Sequence, residues 1–123
     1  MSDDLQLIEK IKSYNSYVDE NIIKNAYKYA SEAHKSQKRH SGDPYISHPL
    51  AVANILAELK LDGPTITTAL LHDTIEDTEA TFKDVKKIFG DEIASLVDGV
   101  TKISKLESEK KVLQLEIILE YLF

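Results

Sequence analysis

Four ionisable residues fall together in the stretch Leu70-Leu71-His72-Asp73-Thr74-Ile75-Glu76-Asp77-Thr78. They are His72, Asp73, Glu76 and Asp77, at offsets i, i+1, i+4 and i+5. Placed on one helix, these offsets span an arc of about 140°. His72 then stands over Glu76, and Asp73 over Asp77. A neutral imidazole with three carboxylates begins a site for a divalent metal. The same residues are poor core material. The plainer alternative is a solvated polar helix end with the carboxylates facing water.

His48 offers a second imidazole at the start of another apolar-faced segment. Its plainer alternative is a capping or packed histidine. Two imidazoles and a carboxylate suit Mn2+, Fe2+, Zn2+ or Co2+ better than Mg2+, which prefers oxygen shells. Such a metal lowers the pKa of its water. Glu76 or Asp77, one helical turn further on, could orient that water or shuttle its proton. Lys38, Arg39 and His40 form a dense cationic cluster ahead of these residues. Gly42 permits close backbone approach to a ligand. Arg39 could stack on a base or pair with phosphate, and Tyr45 could stack or offer its hydroxyl. The plainer alternatives are a solubilising loop and a packed tyrosine. Lys83, Lys86 and Lys87 read as a solvated helix face.

The elements that must position these residues are helical. Glycine is scarce, period-2 alternation is nearly absent and helical spacing recurs, so the expected fold class is all-α, with six to seven helices and no substantial sheet. Leu5, Ile8 and Ile11 suggest a short first helix ending near Ser13–Ser16. Asp19 reads as the N-cap of a second, with Val18 and Ile23 at staple spacing. Ala26, Tyr27, Ala30, Ala33 and His34 continue its apolar face. Lys35 to Pro44 is the longest loop signal. Ser47 is the expected cap of a third helix, with His48 first and Pro49 where proline is tolerated. Lys60-Leu61-Asp62-Gly63-Pro64 reads as a turn. The fourth helix is expected from Thr65 to Ile75, carrying Ile66, Ala69, Leu70 and Leu71 into the ionisable stretch. Thr81 with Asp84 resembles a capping box for a short helix that Gly90 ends. Asp91 to Val97 reads as another short helix. A final one begins at Glu107, and its last twelve residues hold nine hydrophobic ones. A helix apolar on most sides needs partners on most sides, so the expectation is either a chain cut from a longer one or a homo-oligomer packed through 112–123.

Composition bounds the function. The chain has 123 residues, 42% hydrophobic and 29% charged, which suits one domain spanning 1–123. A net charge of −6 argues against a general nucleic-acid binder, which needs a basic face. It leaves room for a small phosphorylated ligand held by local cations. There is no cysteine, hence no disulfide and no thiolate ligand. No signal peptide or membrane-length apolar run is visible, and a cytoplasmic location is expected.

Three segments carry a family resemblance. Arg39-His40-Ser41-Gly42-Asp43-Pro44-Tyr45-Ile46-Ser47-His48-Pro49-Leu50-Ala51-Val52-Ala53 resembles R-x-S-G-E-P-Y-I-x-H-P-L-x-V-A. Ala69 to Thr78 resembles A-L-L-H-D-x-x-E-D-T. Phe89-Gly90 followed by Leu96 to Ile103 is similar to F-G … L-V-x-G-V-T-K-L. Together they resemble the HD-type hydrolase domain of RelA/SpoT alarmone enzymes and small alarmone hydrolases, over about 22–106. The resemblance implies an all-helical HD fold and Mn2+-dependent removal of the 3′-pyrophosphate from (p)ppGpp, giving GDP or GTP. By position it implies His48, His72 and Asp73 as metal ligands and Glu76 and Asp77 as the pair activating water. It implies Arg39 as the residue stacking on guanine, with Lys38, His40, Ser41 and Tyr45 in the nucleotide pocket. It also implies a fourth ligand, an aspartate, several helices downstream, which the family spacing puts beyond Phe123. Asp84, Asp91 and Asp98 are no obvious substitutes. The expectation is therefore a C-terminally truncated domain, either an active pyrophosphohydrolase or a fold-retaining fragment that binds nucleotide or self-associates without catalysis.

Overall fold

Asp19 and Asp62 each start a helix by the same device. A carboxylate oxygen accepts from backbone N–H groups that have no partner inside the helix. Asp19 takes Asn21 and Ile22 at 3.1 and 3.3 Å, and Asp62 takes Thr65 at 2.9 Å. The structure, a computed structural model, describes residues 3–35, 42 and 45–107, the side chains of 76–77 and 103–107 excepted. These form seven helices: α1 (Asp3–Lys12), α2 (Glu20–Ala33), α3 (Ser47–Glu58), α4 (Gly63–Leu71), α5 (Thr74–Asp77), α6 (Phe82–Phe89) and α7 (Asp91–Glu107). No strand occurs among the described residues.

The core is built around α4. This helix packs against α2, α3 and α7, and every residue from Ile66 to Leu71 is buried. Ala26 and Ala30 on α2 are small enough to let two helix backbones approach. Leu7, Ile8 and Ile11 of α1, Val52 and Leu56 of α3, and Ile93 and Val97 of α7 close the rest. Each such large side chain contributes about 1.5–3 kcal/mol by leaving water. The functional consequence is that whatever follows Leu71 starts from a rigid, dry platform.

Four expectations need correction. The fourth helix does not run to Ile75. It stops at Leu71, with His72 as its C-cap, and a separate short helix begins at Thr74. The cause is local: the His72 side chain bonds the Ala69 carbonyl at 2.8 Å, a group the backbone ladder would otherwise use. Second, Ser47 is not a cap. The N-cap is Ile46, in helical conformation and without a side-chain cap bond, so His48 is the second helical residue. Third, the turn expected over Lys60 to Pro64 is shorter: Gly63 opens α4, and the left-handed residue of the turn is Lys60, at φ 63°. Lys60 and Leu61 donate back to the Ala57 and Leu56 carbonyls, which closes α3. At Gly63 a Cβ would make a tight contact, 3.3 Å from Val18 Cγ2. Fourth, α7 runs unbroken through Gly99. The Thr81–Asp84 capping box is present, and Gly90, at φ 92°, ends α6. The apolar segment 112–123 lies outside the described residues.

Candidate metal centre

His72 and Asp73 sit at the buried end of α4, where the chain turns from one helix into the next. His72 is 1% exposed and Asp73 fully buried. The Ala69 carbonyl can only accept, so the His72 Nδ1 that meets it carries the proton. In the neutral ring, Nε2 is then left as a lone pair. That Nε2 has no hydrogen-bond partner, and it stands 3.2 Å from Asp73 Oδ1.

His48 arrives from α3. Its Nε2 is 3.9 Å from Asp73 Oδ2, and its ring centroid is 6.1 Å from that of His72. One donor atom from each of His48, His72 and Asp73 lies within 4.8 Å of the others. Donors to a single divalent transition metal stand roughly 3–3.5 Å apart at ordinary bond lengths. The His72–Asp73 pair already has that spacing, and the His48 donor stands further out. A buried lone pair facing a buried carboxylate oxygen is a repulsive arrangement that a cation relieves. The donor set therefore fits a metal, and its two imidazoles and one carboxylate suit a borderline transition ion. Three protein donors leave coordination positions for water and substrate.

The remaining expected site residues divide by what the structure describes. Glu76 and Asp77 lie in α5, the first turn after Asp73, but their side chains are outside the described set. Lys38, Arg39, His40 and Ser41 lie outside the described residues. Tyr45 is half-buried and immediately precedes the N-cap of α3. Its ring stacks on that of His34, with centroids 4.5 Å apart and planes 20° from parallel. On sequence alone His34 reads merely as part of an apolar helix face. It is 1% exposed, and its position at the end of α2, just before the basic segment, was the signal available. Among the described residues no helix is long and apolar enough to cross a membrane.

The profile of the HD domain family matches residues 26–117. Over 112 residues the chain is 52% identical to the GTP pyrophosphokinase rsh of Brucella melitensis, covering 90% of this chain and 15% of that protein. Over 99 residues it is 52% identical to the bifunctional (p)ppGpp synthase/hydrolase SpoT of Escherichia coli, covering 78% of this chain and 14% of that protein. The chain thus spans about 15% of the length of the curated relatives it matches. A solved structure described as a metazoan ortholog of SpoT that hydrolyzes ppGpp is 30% identical, with a TM-score of 0.62. That match covers 76% of this chain and 61% of the other.

Proposed function

The chain belongs to the HD domain family, in its RelA/SpoT branch, and from that premise we propose that it is the hydrolase type of site, removing the 3′-pyrophosphate of (p)ppGpp with a divalent metal, Mn2+ by preference. The observation that carries the reading is the convergence of His48, His72 and Asp73, donor atoms within 4.8 Å, at a buried helix end. Relatives described as (p)ppGpp hydrolases support the choice of substrate.

In this proposal His48, His72 and Asp73 hold the metal. A bound divalent metal supplies Lewis acidity, which makes water nucleophilic near neutral pH. The protein's own part is positional and protonic. The Ala69 carbonyl keeps the His72 proton on Nδ1 and so keeps Nε2 a donor of electrons. Burial of Asp73 excludes competing solvent from the same corner. Glu76 and Asp77 are assigned to orient the attacking water and take its proton. Water attacks the phosphorus bonded to the 3′-oxygen, the P–O3′ bond breaks and the 3′-oxygen leaves as a hydroxyl after taking up a proton, giving pyrophosphate and GDP or GTP. Arg39 is assigned to stack on the guanine, with Lys38, His40, Ser41 and Tyr45 completing the nucleotide pocket.

The test is direct. Purified protein with Mn2+ and ppGpp releases pyrophosphate, and His72→Ala abolishes the release. Equal release from His72→Ala would remove the metal reading.

A further inference from the structure

The three donors are not held equally. His72 and Asp73 are sequence neighbours fixed to the buried end of α4, whereas His48 comes alone from α3. Its side chain is 22% exposed, and its Nε2 stands 3.9 Å from the carboxylate. The helix start that carries it has no side-chain cap, since Ile46 makes no capping bond.

Beside the packing of Ile46 and Leu50 on the core, this helix start is tied down by the residue just before it. The Tyr45 carbonyl accepts the His48 N–H at 3.1 Å. The Tyr45 ring lies against His34, stacked at 4.5 Å. His34 is buried, and its own N–H donates to the Ala30 carbonyl at 3.0 Å, so it is part of the end of α2. The α2 helix in turn packs on α4, which bears the other two donors. A continuous physical path therefore runs from α4 through α2, His34 and Tyr45 to the backbone of His48.

We infer that the His34–Tyr45 ring stack is a positioning element of the metal centre: it fixes the start of α3, and with it the His48 donor, and so sets metal affinity. The inference rests on the proposed reading of His48, His72 and Asp73 as ligands. Neither His34 nor Tyr45 needs to touch the metal. Losing an outer partner that hydrogen-bonds a ligand directly lowers metal affinity by about 10–100-fold, and the effect through the His48 backbone falls at the lower end of that range.

The experiment is calorimetric titration of Mn2+ alone, without nucleotide, into the full chain and its variants, with metal-free melting curves alongside. His34→Ala weakens binding about tenfold. His34→Phe keeps a ring against Tyr45 and binds within about twofold of the parent. Tyr45→Leu, which keeps apolar bulk without a ring, weakens binding as His34→Ala does and stands in should His34→Ala fail to fold. Tyr29→Leu breaks a different aromatic pair, Tyr29–Phe89 at 5.8 Å, on α2 and α6. It lowers the melting temperature and leaves Mn2+ affinity unchanged. A parent chain that binds no Mn2+ overturns the ligand reading itself, and this inference with it. A parent that binds, with His34→Ala and Tyr45→Leu at parent affinity, overturns the positioning role alone. His34→Phe binding as weakly as His34→Ala assigns the effect to the imidazole nitrogens and overturns the stack.

Discussion

The Nε2 of His72 faces Oδ1 of Asp73 at 3.2 Å, while the other nitrogen of the same ring is committed to the Ala69 carbonyl. This one relationship fixes the tautomer, ends α4 and creates a pair of electron-rich atoms in a dry corner. It makes stability depend on metal. At a free metal concentration 100 times Kd, binding stabilises the fold by about 2.7 kcal/mol. Thermal melting with added Mn2+ should therefore shift upward, and a chelator should reverse the shift. His72→Ala and Asp73→Asn should show no shift, with affinity losses beyond the roughly 10–100-fold expected for an outer partner.

Tyr14 gives a test of the frame that carries the site. Its hydroxyl donates to the Leu61 carbonyl at 2.6 Å, tying the end of α1 to the turn before α4. Burial, and then the Asp62 carboxylate, hold the phenol's pKa above its ordinary value. A raised folded pKa means the contribution is fully present below the unfolded value of about 10 and is lost as pH rises through the folded one. Tyr14→Phe should cost about 1 kcal/mol in denaturant unfolding at pH 7. The gap between parent and variant should narrow above pH 10, because ionised Tyr14 has no proton to donate.

Lys60 occupies the left-handed position that closes α3, at φ 63°. A side chain there costs roughly 1–2 kcal/mol, which glycine avoids, though glycine also loses more chain entropy on folding. Lys60→Gly should leave the helix closure intact and raise stability by up to about 1 kcal/mol, read as a higher denaturant midpoint with unchanged slope. A lower midpoint would show that the lysine side chain makes a contact worth more than its strain.

What the sequence made legible was chemistry and local capping. Two imidazoles and a carboxylate are conspicuous whatever the backbone does, and His48, His72 and Asp73 do converge. Asp19 and the Thr81–Asp84 box act within three residues of themselves, so their roles read directly. The break after Leu71 was not legible, because a side chain capturing its own helix's carbonyl leaves no trace in residue pattern. That Lys60 is the left-handed residue of its turn was not legible either, because glycine is the usual choice for such a position and Gly63, three residues on, opens α4 instead. His34 was read as apolar filling because its partner, Tyr45, lies across an intervening loop and is brought near by the fold alone.

Arg39 separates binding from chemistry. If it stacks on the guanine, its loss removes an interaction made equally in ground and transition states. Arg39→Ala should then raise KM for ppGpp by about tenfold or more, the worth of one base stack, with kcat little changed. Steady-state kinetics at saturating Mn2+ check this. A fall in kcat at constant KM would place Arg39 in the chemical step instead.

The proposed metal-dependent pyrophosphohydrolase site is built on His48, His72 and Asp73. Its most direct test is product analysis by anion-exchange chromatography after incubating the full chain with ppGpp and Mn2+. A site of this kind gives GDP and pyrophosphate in equal amounts, absent without metal and absent in His72→Ala. No product above the metal-free control, or stepwise release of single phosphates, would contradict it.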